Sequence, residues 1–195
     1  LQGKNVHLMR RELGRRLARE HPVDADMVTG VPDSSIAAAS GYAEEAGLPY
    51  EMALVKNRYI GRTFLRPTQR MREEGVDLKL NAVEKIVQDK RVIIVDDSIV
   101  RGTTSVKLVR LMRRAGAREV HLRISSPPVI DACLYGIDMP ASQELVARRY
   151  KIADIARELG ADSIGYLSLE ETVAAVGLPG EGLCRACFTG LYTIR

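Results

Sequence analysis

Fourteen residues near the middle of the chain restrict its fold more than any other stretch: Val92-Ile93-Ile94-Val95-Asp96-Asp97-Ser98-Ile99-Val100-Arg101-Gly102-Thr103-Thr104-Ser105. The unbroken apolar run Val92–Val95 reads as a strand buried on both faces, the pattern of a parallel sheet covered by helices. It ends in two adjacent carboxylates, and a glycine and three hydroxyl residues follow. From about Thr104 to Ala115 the apolar residues recur at helical spacing, and Gly116 closes that helix. Strand, loop and helix are thus written into one run. In open α/β sheets, ligands bind where such strands end and such helices begin.

The rest of the chain repeats the alternation. Met9, Leu13 and Leu17, spaced by four among basic residues, predict an amphipathic first helix. Asp26–Val31 reads as a strand stopped by Pro32. Ser34 or Ser35 then N-caps a small-residue helix that runs to about Ala46, with Gly47 as its stop. Tyr50–Val55 reads as a second strand and Val120–Ile124 as another. Beyond Pro127-Pro128 the pattern predicts a helix over Ile152–Leu159, a strand over Ile164–Leu167 and a helix over Leu169–Val176. The tail Gly177-Leu178-Pro179-Gly180 breaks this last helix. No internal repeat or long linker interrupts the series. The expectation is one α/β domain, a parallel sheet flanked by helices, with elaborated ends.

The central run also carries chemistry. Neighbouring strand residues point to opposite faces, so Asp96 and Asp97 can serve one polyhydroxyl ligand only if the chain is already turning there. Both acids can accept hydrogen bonds from sugar hydroxyls or sit near Mg²⁺. Gly102 lets the backbone approach a ligand closely. Thr103, Thr104 and Ser105 lie at a helix N-terminus, where free N–H groups and the helix dipole favour a phosphate. Pro32-Asp33-Ser34-Ser35 is a second strand-to-helix turn and so a second anion site, or a simple cap. Lys56 to Arg72 holds six cations (Lys56, Arg58, Arg62, Arg66, Arg70, Arg72) and no acid. Tyr59, Gly61, Phe64 and Pro67 break any helical period, so this run reads as a basic loop; a solvated surface or an RNA-binding patch is the alternative.

Composition sets the outer limits. With 195 residues, 46% apolar and 28% charged, the chain is an ordinary globular domain. No apolar run approaches the roughly 20 residues of a membrane span. The opening Leu1-Gln2-Gly3-Lys4-Asn5 has no apolar segment and no Met, which predicts no secretory signal and a chain cut or processed from a longer one. Three cysteines are too few for a disulfide framework and predict a reducing, cytoplasmic setting. Cys184-x2-Cys187 by itself is open between a zinc half-site, a redox pair and buried thiols. His7, His21 and His121 form no catalytic constellation. No Ser-His-Asp arrangement is evident, and Cys187 has no obvious base partner.

Val95-Asp96-Asp97-Ser98-Ile99-Val100-Arg101-Gly102-Thr103-Thr104 closely resembles the phosphoribosyl-pyrophosphate (PRPP) motif of type I phosphoribosyltransferases, in the version of the glutamine PRPP amidotransferase (amidophosphoribosyltransferase) family. The likeness extends through Val31–Ser35, Lys56–Phe64, Arg123–Pro128 and Cys187–Gly190. It implies the type I phosphoribosyltransferase fold with a helical C-terminal elaboration. The whole of 1–195 would be the phosphoribosyltransferase domain, without the N-terminal glutaminase domain that supplies ammonia. By resemblance, Asp33, Ser34 and Ser35 form the pyrophosphate loop, with Ser34 near the metal. Asp96, Asp97, Ser98, Arg101, Gly102, Thr103, Thr104 and Ser105 bind PRPP, and Ser34, Asp96 and Asp97 hold Mg²⁺. The segment from Lys56 is a loop that closes over PRPP and brings Lys56, Arg58, Tyr59 and Arg62 to it.

Cys133, Cys184 and Cys187 match three of the four positions that ligate a [4Fe–4S] cluster in the iron–sulfur-containing subfamily; the fourth would fall before Leu1. The implied reaction is the first committed step of purine biosynthesis, in which ammonia from glutamine displaces pyrophosphate from PRPP to give 5-phosphoribosylamine. It carries feedback inhibition by AMP- or GMP-type nucleotides, a homotetramer, and no membrane or nucleic-acid partner. Two alternatives share the fold. One is a nucleobase phosphoribosyltransferase, disfavoured by the lack of Trp and of an aromatic platform near Pro127. The other is a PRPP-sensing regulator that binds nucleic acid, supported only by the basic run.

Overall fold

The computed structural model describes residues 3–56, 80–178 and 182–192. Helix α1 (Val6–Glu20) starts at Asn5, whose side chain accepts a hydrogen bond from the Leu8 N–H at 3.2 Å, and buries Met9 and Leu17. Strand β1 (Met27–Gly30) follows, then α2 (Ile36–Ala46), ended by Gly47 in the left-handed region. The predicted strand Tyr50–Val55 is corrected. Tyr50 makes one isolated bridge to Val28, and only β2 (Leu54–Lys56) is a strand, pairing antiparallel with β3 (Leu80–Ala82). Periodicity does not reveal three-residue strands. A short helix α3 (Glu84–Val87) leads to β4 (Arg91–Asp96), α4 (Thr103–Arg114) and β5 (Glu119–Ile124). A 3₁₀ turn (Ser142–Glu144), α5 (Val146–Arg149), α6 (Ile152–Leu159), β6 (Ser163–Tyr166), α7 (Leu169–Val176) and α8 (Ala186–Thr189) complete the order.

The main sheet is wholly parallel, in the order β1-β4-β5-β6. Alternate residues of β4 feed two cores. Val92 and Ile94 pack with Leu108, Met112 and Ile155 on the α4 side, whereas Ile93 and Val95 pack with Leu17, Ala38 and Tyr42 on the α1–α2 side. Both sets are fully buried, which explains the continuous apolar run. Helices α1 and α2 meet backbone to backbone. A methyl group on Gly14 would lie 1.8 Å from the Ala38 carbonyl oxygen, and one on Gly41 would lie 2.0 Å from that of Arg11.

Topology fixes where a ligand can enter. From β1 the chain passes to residues 49–51, which lie along one edge of β1 through the Val28 N–H to the Pro49 carbonyl and the Glu51 N–H to the Val28 carbonyl, each 2.9 Å. It then returns to β4 on the other edge. The connections therefore diverge between β1 and β4, and the crevice at their carboxyl ends is a topological switch point.

Candidate active site

Two strand-to-helix loops, residues 31–35 after β1 and 97–102 after β4, meet at this crevice. The Val31 N–H donates to the Val95 carbonyl at 3.0 Å, so the first loop begins tied to the end of the second strand. The Asp96 carbonyl in turn accepts the Ser125 N–H at 2.9 Å and the Ser125 hydroxyl at 3.2 Å, which brings in the end of β5. A cleft of about 370 Å³ opens above, lined by Val31, Ser34 and the whole run from Asp96 to Ser105.

The two acids are unlike. Asp96 is the last residue of β4 and is 8% exposed. Its Oδ1 accepts the Ser35 hydroxyl at 3.1 Å and the Asp97 N–H at 2.9 Å. Burial, and then the neighbouring Asp97 charge, push its carboxyl up to about 7. Asp97 is exposed, and its Oδ1 accepts the Ser98 N–H at 3.0 Å. The chain is thus turning at Asp97, the condition under which adjacent acids can face one ligand.

Gly102 shapes the other wall. It sits in the left-handed region at φ +80°, and a methyl group there would lie 2.9 Å from Leu159 Cδ2. Only glycine suits both the turn and the close packing. Helix α4 starts at once, and its first intrahelical bond to Gly102 is from the Val106 N–H at 3.0 Å. No side chain caps this helix, and no acid stands in its first turn. The N–H groups of Thr103, Thr104 and Ser105 precede that bond and form an anion cradle at the positive end of the helix dipole.

The other expected site residues fall as follows. Asp33 and Ser34 are exposed beside the cleft. Ser35 occupies the N-cap position of α2 but does not cap it. It is fully buried, and its hydroxyl is committed to Asp96. Lys56, at the end of β2, donates to Asp33 Oδ2 at 2.8 Å and so stands against the first loop. Arg58, Tyr59 and Arg62 lie outside the described residues.

Cys133, Cys184 and Cys187, up to about fifty residues apart in sequence, converge on one corner. Cys187 is raised by burial first and then by the proximity of Cys133 and Cys184. Even so, among the described residues no three His, Cys, Asp or Glu side chains come together closely enough to hold a metal ion. Two residues of the site carried no role in the sequence reading. Ser125 anchors Asp96, and Glu144 accepts from the Arg101 Nε at 2.8 Å. Glu144 comes from a 3₁₀ turn beyond β5, and no periodicity links it to the loop.

The phosphoribosyl transferase domain family matches residues 8–125. The chain is 53% identical over 196 residues to the amidophosphoribosyltransferase of Bacillus subtilis, covering 98% of this chain and 41% of the relative. It is 52% identical over 192 residues to that of Methanocaldococcus jannaschii, covering 98% and 40%. Among solved structures it is similar to one described as the allosteric regulatory enzyme of purine biosynthesis, with a TM-score of 0.90 and 53% identity over 99% of this chain and 42% of that one. It is also similar to glutamine PRPP amidotransferase from B. subtilis complexed with ADP and GMP, with a TM-score of 0.88 and 53% identity over 98% and 43%. The chain spans about two-fifths of the length of the curated relatives it matches.

Proposed function

The chain belongs to the phosphoribosyl transferase domain family, and from that premise we propose that it is the PRPP-binding, phosphoribosyl-transferring part of an amidophosphoribosyltransferase. The observation that carries this reading is the uncapped N-terminus of α4 directly beyond the Asp96-Asp97 pair. A doubly charged phosphate suits the three open N–H groups, and a ribose suits the two carboxylates as hydrogen-bond acceptors. The first loop, with Ser34 and the nearby Lys56, then faces the pyrophosphate at the other end of the substrate.

The reaction replaces pyrophosphate by ammonia at C1 of PRPP, a carbon that becomes oxocarbenium-like as the bond to the leaving group stretches. The C1–O bond breaks, its electron pair leaves with pyrophosphate, a C1–N bond forms, and the nitrogen loses a proton to give 5-phosphoribosylamine. Little covalent chemistry falls to the protein. Its residues hold the phosphate in the α4 cradle, orient the ribose through Asp96 and Asp97, and set Lys56 charge beside the departing pyrophosphate. Arg58, Tyr59 and Arg62 are proposed to join them when their segment covers the substrate and expels water.

The donors fit Mg²⁺, a hard cation that takes oxygen ligands, keeps several waters and bridges substrate phosphates. Ser34, Asp96 and Asp97 would hold it, and it would supply positive charge to the leaving group. A [4Fe–4S] cluster takes four thiolates; Cys133, Cys184 and Cys187 would be three of them, and the fourth would come from outside these 195 residues. The three side chains do not come together closely enough here to hold a metal ion, so no step is assigned to a cluster. Glutamine-derived ammonia, a cytoplasmic homotetramer and inhibition by purine nucleotides belong to the same proposal. A nucleoside monophosphate shares the ribose phosphate end of PRPP and would occupy the same cradle.

Titration calorimetry with Mg–PRPP, followed by an assay of pyrophosphate release driven by ammonia, tests the reading. Binding with ammonia-dependent release is expected. Binding without turnover, together with salt-sensitive binding of DNA or RNA, would replace the enzyme reading with a regulator.

A further inference from the structure

Arg101 is the single cation among the described residues that line the cleft, which otherwise presents two carboxylates. The position of its guanidinium therefore weighs heavily on whether an anion can settle there. It is not left free. Arg101 Nε donates to Glu144 Oε2 at 2.8 Å. This holds the root of the planar fork and leaves the four N–H bonds of its two Nη atoms available. The contact draws the Glu144 carboxyl below its usual range, chiefly through that hydrogen bond, so the acid is ionised at neutral pH.

The turn that carries Glu144 is firmly seated. The next residue, Leu145, is fully buried, and the Val146 N–H donates to the Val100 carbonyl at 2.9 Å, a second tie to the same loop. On its far side, the Ser142 hydroxyl donates to Asp131 Oδ1, which also accepts the Ala132 N–H at 2.9 Å. The Ile130 and Asp131 N–H groups both donate to the Cys187 carbonyl, at 2.9 and 3.1 Å. Arg101 is thus paired with an acid whose backbone is anchored on both sides. Its side chain and that of Glu144 are 50% and 52% exposed, and a pair so exposed adds little to fold stability. What the pair does supply is orientation: a fork fixed at Nε loses less freedom when it takes up an anion.

We propose that Glu144 is a positioning residue of the phosphate-binding loop, acting on the substrate's anionic group only through Arg101. This rests on the reading of the cleft as a sugar-phosphate site. The contribution is to binding and not to bond breaking, so its loss raises KM and leaves kcat nearly unchanged.

The test uses the full chain with ribose 5-phosphate as the probe in calorimetry, alongside PRPP kinetics. Glu144→Ala should weaken ribose 5-phosphate binding and raise the KM for PRPP by about 3- to 10-fold, with kcat within about twofold. Glu144→Gln keeps an acceptor oxygen for Nε and should recover most of the loss. The double variant R101A/E144A should bind no worse than R101A alone, because Glu144 has no other route to the ligand. Equal binding by wild type and E144A, tighter binding by E144A, or additive losses in the double variant would each overturn the proposal. A melting temperature lowered in E144A with KM unmoved would also overturn it, by showing a structural role only. Failure of the wild type itself to bind ribose 5-phosphate would instead overturn the reading of the site on which this inference rests.

Discussion

Helices α4 and α7 both follow a strand of the same parallel sheet, yet they start in opposite ways. At α7 the helix start is capped by a side chain. The Ser168 hydroxyl accepts the Glu171 N–H at 3.1 Å, Thr172 Oγ1 donates to the Ser168 carbonyl at 2.7 Å, and the Ser168 N–H donates to Glu20 at 2.8 Å. Glu170 and Glu171 in its first turn neutralise the positive end of the helix dipole. At α4 there is no cap and no acid in the first turn, and a left-handed glycine stands where a capping side chain would be. The acids sit instead where the strand ends and the loop begins, at Asp96 and Asp97, and Asp96 is buried and shifted. The first helix start is built for stability alone. The second leaves donors open and sets two carboxylates in the wall of the cleft, and that contrast marks the site more clearly than any single residue.

The comparison can be broken most severely at the acids. Replacing Asp96 and Asp97 together by Asn should lower ammonia-dependent pyrophosphate release by about a thousandfold or more, because ribose orientation is lost. Circular dichroism should stay that of the wild type. Turnover that survived this change would remove the carboxylates from the site.

The buried acid of the pair, Asp96, should make the fold sensitive to pH. The Asp96 carboxyl is raised to about 7 from its ordinary 3.8, so its contribution to stability is fully present below about pH 4 and is lost as pH rises through about 7. The full shift corresponds to roughly 4 kcal/mol as an upper bound, since a pKa unit is worth about 1.4 kcal/mol. Asp96→Asn should abolish this dependence and raise stability above pH 7, even as it removes function. Denaturant titrations of both proteins at pH 5 and pH 8 check the sign. Asp26, held at about 2 by its hydrogen bonds to Arg91, acts in the other direction, its contribution being lost only as pH falls from about 4 to about 2.

Gly102→Ala tests the geometry of the open helix start. A methyl group at φ +80° pressed against Leu159 should cost about 1–3 kcal/mol and weaken ribose 5-phosphate binding as well. Ser168→Ala sharpens the contrast from the opposite side. Loss of the α7 cap should cost about 1 kcal/mol in chemical denaturation, with ribose 5-phosphate affinity unchanged. If the S168A variant lost affinity too, the two helix starts would not be the separate devices described here.

Much of this was legible beforehand. Helices Ile152–Leu159 and Leu169–Val176 match their predicted bounds, and β4 extends the apolar run by one residue at each end. Local chemistry specifies such elements: spacing selects the helix, a buried run selects the strand, and glycine stops them. The short strands β2 and β3 were not legible as they stand, because they are defined by pairing with each other and not by any pattern of their own. Ser35 was expected among the ligand groups or as a cap. In the structure its hydroxyl turns inward to Asp96, a residue 61 positions away. Glu144 had no signal at all, since its role exists only where a distant turn meets Arg101.

The sequence by itself determined the alternation of strands and helices and the run of acids, glycine and hydroxyls, because these depend on neighbours along the chain. Only the tertiary structure decided which of two adjacent aspartates is buried and raised, which serine serves it and which carboxylate steadies Arg101. Burial, charge proximity and hydrogen-bond partnership are properties of distances through space. Here those distances are set by β1 and β4 lying side by side in register, and by the strap from Ile130 to Val146, tied at one end to Cys187 and at the other to the Val100 carbonyl of the loop.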